Sequence, residues 1–249
     1  MKYAILSDIH GNFEALTAVM GEARKRKAEK FVCLGDLVGY GASPAICVDI
    51  VRNSKAHCIS GNHDRYVTGV TPMDPAIREV TQATIEYAKK MLTAPQIEYL
   101  QGLPLQIMTE DGMLFVHGSP RNEDEYLLSW EAIQENILYL KMNMPDVHLC
   151  FFGHTHIPMM ATGTRIEARF EEKTDMAVFQ LADSKTYLIN PGSVGQPRDR
   201  CSKAAWAMYD STEDVIEFHR VKYNIGGAQQ RMTAVGFDPR LVMRLELAK

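Results

Sequence analysis

Short continuous apolar runs alternate with stretches of helical spacing at the start of the chain. KYAILSD, residues 2–8, predicts a buried strand. NFEALTAVMGEARKR follows, with Phe13, Leu16, Val19, Met20 and Ala23 spaced as one helix face. KFVCLGD, residues 30–36, reads as a second strand, then come a Gly-rich turn, GYGASP, and a helix from about Pro44 to Arg52. AHCISGNHD, residues 56–64, is a third strand. Strand, helix, strand, helix, strand predicts a parallel sheet with right-handed crossovers.

The pattern then breaks. Residues 74–101 read as two helices punctuated by Pro72, Pro75 and Pro95. LPLQIMTEDGMLFVHGS predicts a hairpin turning at Asp111-Gly112, and SWEAIQENILYLK a helix with Ser129 as N-cap. VHLCFFGHTH is a further strand. After Pro158 short strands are expected at about 158–163, 165–170, 176–181, 185–190, 204–210 and 215–222, forming a second, more antiparallel sheet packed on the first. The tail, DPRLVMRLELAK, reads as a short helix. With no internal repeat, low-complexity tract or linker, the expectation is one domain, 1–249, with a helical cap element at 71–103.

Composition narrows the class. Of 249 residues 46% are apolar and 23% charged, the balance of a soluble globular protein. Net charge is −4 with scattered Lys and Arg, which speaks against binding a nucleic-acid polymer or a membrane surface. No stretch approaches a membrane-spanning length, and the first apolar run is too short for a secretion signal. The five cysteines form no C-x-x-C, and Cys33, Cys58 and Cys150 sit in strand-like runs as small hydrophobes. A reduced, cytoplasmic setting is expected, and a thiol or redox enzyme is disfavoured. Met159, Met160 and Trp206 read as core or as interface between copies.

The chemistry lies at the strand ends. Strand one ends in Asp8 and His10, strand two in Asp36, strand three in Asn62 and His63. The hairpin ends in His117, and FFGHTHIP ends a strand in His154 and His156. The other histidines, His57, His148 and His219, read as surface or edge residues. Ligands of open α/β sheets bind at the carboxyl ends of strands. Residues i and i+2 on extended backbone point the same way, so Asp8 with His10, and His154 with His156, are each expected to face one cavity. Any one of these groups alone is more often a turn or cap residue, but that reading would have to hold at five strand ends together. Imidazole with carboxylate suits Mn, Fe, Co, Ni or Zn. Seven such ligands are too many for one ion with an open position and right for two, about 3.5–4 Å apart and bridged by a carboxylate.

Asp8-x-His10, Gly35-Asp36, Gly61-Asn62-His63-Asp64, His117 and Gly153-His154-x-His156, in this order, resemble the calcineurin-like metallophosphoesterase superfamily over about residues 4–156. NPGSVGQPRD, residues 190–199, is similar to a segment of its small prokaryotic branch. The resemblance implies an α/β fold, a four-layer αββα sandwich of two mixed β-sheets flanked by helices. It implies one divalent transition-metal ion on Asp8, His10, Asp36 and His156, and a second on Asp36, Asn62, His117 and His154. Mn is the ion expected to work in vitro, with Fe, Ni, Co or Zn as alternatives. His63 would face the phosphate and protonate the leaving oxygen or stabilise its charge. The implied activity is hydrolysis of a small phosphodiester, nucleotide or phosphomonoester by a metal-bridging hydroxide. A phosphoprotein phosphatase and a non-catalytic scaffold of the same fold are the alternatives. The phosphatase branch carries Asp-Arg-Gly where this chain has Gly39-Tyr40-Gly41, so both the partner of the catalytic His and one phosphate-gripping Arg are replaced. Arg65, Arg121, Arg198 and Arg200 follow motif loops and are the candidate phosphate grips, against a plain surface role for each. Small phosphate esters are the expected partners.

Overall fold

The structure, a computed structural model, describes residues 1–169, 174–182 and 184–249. Twelve strands among the described residues form two mixed six-stranded sheets. The first runs in the order β3 (His57–Cys58), β2 (Lys30–Cys33), β1 (Lys2–Leu6), β11 (Ala204–Asp210), β12 (Val215–Val221), β9 (Met176–Gln180). Strands β1 to β3 are parallel, whereas β11 lies antiparallel to β1 with Lys2 opposite Asp210. The second runs β4 (Gln106–Met108), β5 (Met113–Val116), β6 (Leu149–Phe151), β10 (Tyr187–Asn190), β7 (Met159–Thr162), β8 (Ile166–Arg169). Its centre, β5, β6 and β10, is parallel.

The sheets pack face to face through Ile5, Val32, Leu34, Phe115, Phe151, Ile189 and Phe218. Helices α1 (Phe13–Lys25), α2 (Pro44–Asn53), α4 (Glu79–Met91) and α5 (Ala94–Gln101) bury Leu16, Val19, Val48, Ile85 and Leu100 on the outer face of the first sheet. On the second sheet α6 (Trp130–Asn143) packs Ile133, Ile137 and Leu140 against Leu114, Cys150 and Leu188. Helix, sheet, sheet, helix is the four-layer arrangement expected. Two C-terminal helices, α7 (Ile225–Ala234) and α8 (Pro239–Leu247), close a small apolar cluster over Tyr40. No helix among the described residues is long and apolar enough to cross a membrane.

The patterning of the strands after Pro158 predicts a sheet of their own, and they do not form one. They divide: β9, β11 and β12 extend the first sheet, while β7, β8 and β10 extend the second. A short alternating strand carries no signal for which distant edge it will pair with. The expected strand at 165–170 ends beyond the described residues at position 170. Strand β3 is two residues long, and its expected end is the first turn of α3 (Asn62–Thr68). Residues 74–78 lie outside the helix expected there, since α4 begins at Glu79. Helix α7 escapes a periodicity reading because Gly226 and Gly227 fill its first turn. Asn224 caps it by accepting the Gly227 N–H at 3.0 Å. Met159, Met160 and Trp206 are core residues. His219 is not the surface residue expected. It is buried, its ring stacked 4.6 Å from Trp206, because β12 is covered on that face rather than open. All five cysteines are free and buried.

Candidate metal centre

Loops continuing β1, β2, β5, β6 and β10 meet at one end of the two sheets and tie each other in place. The Asp8 N–H donates to the Gly35 carbonyl (3.1 Å), the His10 N–H to Asp36 (2.9 Å) and the Gly153 N–H to His117 (2.8 Å). The 190–199 segment locks in from the other side, with the Val194 and Gly195 N–H groups on the Ser7 and Asp8 carbonyls, each at 2.9 Å. Asn190 Nδ2 donates to the Gly153 carbonyl (2.8 Å) and to Thr155 Oγ1 (3.0 Å), which shapes the loop that carries both GHTH histidines.

The backbone at these positions is not extended. Asp8, His10, Asp36, His154 and His156 all have positive φ, between 49° and 63°. Each such residue costs on the order of 1–2 kcal/mol outside glycine. The strain persists because the surrounding hydrogen bonds over-determine the loops. The i, i+2 pairs therefore face the cavity through left-handed turns, which corrects the extended-strand expectation.

Six of the expected ligands, Asp8, His10, Asp36, His117, His154 and His156, fall into two clusters whose ligand atoms lie within 4.8 Å of one another. One is Asp8, His10 and His156; the other is Asp36, His117 and His154. A third cluster, His10, Asp36 and His63, overlaps both. Asn62 joins through its Oδ1, 3.1 Å from His117 Nε2.

Three histidines have their tautomer set by the outer hydrogen bond. Nδ1–H of His10 donates to the Val38 carbonyl (3.1 Å), that of His117 to Leu34 (2.7 Å) and that of His156 to Gln196 (2.6 Å). A carbonyl only accepts, so Nδ1 carries the proton and Nε2 faces inward. His10 Nε2 and His156 Nε2 face each other at 3.1 Å, and His156 Nε2 lies 3.3 Å from Asp8 Oδ1. Asp36 Oδ2 sits 3.6 Å from His10 Nε2 and 3.5 Å from His117 Nε2, while its Oδ1 accepts the His63 N–H at 2.9 Å. His154 Nε2 is buried with no partner among the described residues. Lone pairs aimed at lone pairs and carboxylates in a buried site repel unless cations lie between them. The donor set thus fits divalent ions, with Asp36 placed to touch both clusters.

The electrostatics agree. Burial drives His10 well below its usual range, His63 to about 4 and His154 to about 3; His156 is lowered by burial and by the charge of Arg198. These rings are neutral and available as ligands. Burial alone would raise Asp8 and Asp36, yet the neighbouring histidines, His156 for Asp8 and His117 for Asp36, hold both carboxyls well below the carboxylate range. His117 goes the other way. Burial opposes its charge, but Asp36 outweighs burial and raises it to about 10 when no cation competes.

Among the described residues no carboxylate hydrogen-bonds the His63 ring, whose Nδ1 is buried without a partner. His63 is held by shape: its ring lies 4.6 Å from Tyr40 and 4.9 Å from His10, with Tyr66 at 6.4 Å. Gly39, at φ +86°, is required here, because a Cβ would stand 2.2 Å from His63 Nδ1. Tyr40 in turn carries the Arg198 guanidinium over its ring, 5.8 Å from the centroid. The stretch that departs from the Asp-Arg-Gly pattern thus positions His63 by packing. Asp64, absent from the sequence-based candidates, holds the same loops. Its carboxylate accepts N–H groups from Asp36 (2.8 Å), Leu37 (2.9 Å), Val38 (3.3 Å) and Gly61 (3.0 Å).

Asn62, His63 and His154 line a cleft of about 450 Å³ together with Tyr40, Tyr66, Tyr126, Arg78, Arg198 and Arg244. Tyr126 stacks on His154 at 3.7 Å. Of the expected arginines only Arg198 reaches this cleft. Arg65 is buried and engaged by Asp124 and the Ser60 carbonyl. Arg121 is clamped by Glu125 and Glu135 beside a separate hollow, and Arg200 is exposed beyond the loop. Arg78 and Arg244 had no sequence signal, being single arginines outside any motif.

This end-of-sheet cluster on a four-layer sandwich defines a class, and the chain belongs to the calcineurin-like phosphoesterase superfamily, whose domain it matches over residues 1–214. It is 35% identical over 249 residues to "Uncharacterized protein MJ0912" of Methanocaldococcus jannaschii, covering 99% of this chain and 98% of that one. Among solved structures it resembles a metallophosphoesterase from Sphaerobacter thermophilus, with TM-score 0.83, 32% identity and coverage of 100% and 99% of the two chains. It also shares its fold with hypothetical protein PH1004 from Pyrococcus horikoshii OT3, with TM-score 0.80, 22% identity and coverage of 100% and 98%.

Proposed function

We propose that this protein hydrolyses a small phosphate ester (a phosphodiester, nucleotide or phosphomonoester) at two divalent transition-metal ions. The observation that carries this is Asp36 Oδ2 between the inward Nε2 atoms of His10 and His117, at 3.6 and 3.5 Å. Asp8, His10, Asp36 and His156 would hold one ion and Asp36, Asn62, His117 and His154 the other. When bound, two such ions supply a water-derived nucleophile near neutral pH and neutralise charge on a phosphoryl group.

The chain's own residues do the rest. Tyr40 packs against His10 and Tyr126 against His154, so the two rings flank the approach to the ligand cluster. His63, neutral through burial, would give an N–H to the leaving oxygen, and Arg198, which lines the same cleft, would add a guanidinium. A cleft of about 450 Å³ suits a nucleotide-sized ligand. A complete ligand set favours catalysis over a scaffold.

The test is hydrolysis of bis-p-nitrophenyl phosphate and p-nitrophenyl phosphate by metal-stripped protein with Mn²⁺, Ni²⁺, Co²⁺, Zn²⁺ or Mg²⁺ restored. Metal-dependent nitrophenolate release, lost in His154→Ala, is expected. Two bound ions with no turnover of either ester under any metal would overturn the reading.

A further inference from the structure

The cleft above the metal cluster is more basic than one phosphoryl group needs. Arg78 lies just before α4, Arg198 in the 190–199 loop and Arg244 on α8, so three remote segments bring arginines to one cleft. Arg198 is part of the floor: its Nη2 donates to Gln196 Oε1 at 3.3 Å and lies 3.4 Å from the Tyr40 hydroxyl. Its Nε is buried with no partner among the described residues. Arg78 and Arg244 make no ion pair among the described residues, and both also border an adjoining hollow of about 420 Å³ with Arg240.

Two acidic groups line the cleft against three arginines. Asp124 is engaged by Arg65, and Asp74, which accepts the Ala76 N–H at 2.8 Å, makes no ion pair with any of the three among the described residues. Arg244 is pushed below the usual arginine range, by burial first and then by the charges of Arg198 and Arg78. Cations lining one cleft repel one another until an anion joins them. Two unpaired guanidinium forks, separate from the one beside His63, match the oxygens of a tetrahedral phosphate better than a single carboxylate.

We propose that the substrate is a phosphoester carrying a second phosphoryl group, gripped by Arg78 and Arg244 while the ester to be cleaved lies against the metal cluster. This rests on the phosphoesterase reading for its chemistry but not for its binding.

The experiment is calorimetric titration of the full chain, with and without Mn²⁺, using adenosine 3′-monophosphate and adenosine 3′,5′-bisphosphate. The second phosphate should tighten Kd at least about tenfold, or about 1.4 kcal/mol. In Arg78→Gln/Arg244→Gln that gain should fall below about threefold, and Arg78→Lys/Arg244→Lys, which keeps the charge, should restore part of it. Thermal melts confirm that the variants fold. Equal affinity for the two ligands, no detectable binding of the bisphosphate, or a gain that survives the double Gln variant would each overturn the proposal. Turnover of bis-p-nitrophenyl phosphate and p-nitrophenyl phosphate, run alongside, separates the two ideas, absence of turnover meaning that neither ester is cleaved. Turnover without the affinity gain removes the second-phosphate site alone. The gain without turnover under any metal removes the phosphoesterase reading and leaves the site standing.

Discussion

Gly39→Ala tests whether packing, in place of a carboxylate, holds His63. Gly39 has φ +86°, and the added Cβ would lie 2.2 Å from His63 Nδ1. The left-handed backbone costs an L-residue on the order of 1–2 kcal/mol. At ~2–4 °C per kcal/mol for a chain of this size, the melting temperature should fall by ~2–8 °C. The contact must also open by about 1 Å, and His63, 4% exposed between Tyr40 and His10, can yield only toward the cleft. A displacement of that size at a reacting group costs ~100-fold in rate. The assay pairs a thermal melt with p-nitrophenyl ester turnover at saturating Mn²⁺. Gly21→Ala in α1 is the control, since nothing lies within 4 Å of its new Cβ. It should keep full turnover and melt at the same or a higher temperature. A Gly39→Ala protein with turnover within twofold of the parent would refute the claim that the ring's position matters. An unchanged melting temperature would refute the contact itself.

His63→Ala should bind both ions, measured by metal analysis after dialysis, while losing ~100-fold or more in turnover; loss of the ions instead would make His63 a ligand. Restoring metal to stripped protein at ~1,000 times Kd should add ~4 kcal/mol and raise the melting temperature by ~8–16 °C. Asp36→Asn should abolish most of that rise, and a full rise in the variant would remove Asp36 as the shared ligand. Arg121→Ala should leave turnover intact but change the acid limb of stability. Arg121 is the main cause holding Glu125 at about 2, so its contribution is present above the ordinary Glu pKa and lost as pH falls toward 2. The variant's stability should therefore depend less steeply on pH between about 4.5 and 2; an unchanged slope in acid melts would show the pair contributes nothing.

Much of the site is visible in the chain because its chemistry is carried by short motifs at strand ends. Asp8-x-His10, Gly-Asp36, Gly-Asn62-His63-Asp64, His117 and Gly-His154-x-His156 name both the residues and the cavity, and buried strands such as Lys2–Leu6 and Met113–Val116 declare themselves by unbroken apolar runs. Local patterning also sets α1, α2 and α6, since each buries one periodic face. What it could not decide is anything that depends on which distant segments meet. Strands β9, β11 and β12 joined the first sheet because the free edge of β1 was there to pair, and no residue in them encodes that edge. The left-handed turns at Asp8 and His154 follow from hydrogen bonds between separate loops, not from the residue types. Arg78 and Arg244 are 166 positions apart and belong to no motif, and only the tertiary fold, which sets α8 and the start of α4 around a shared hollow, brings both to one cleft. The candidate ligands are local chemistry, legible one motif at a time. The shape and charge of the cleft that would choose a substrate belong to the tertiary fold, because they are sums over side chains that the chain itself keeps far apart.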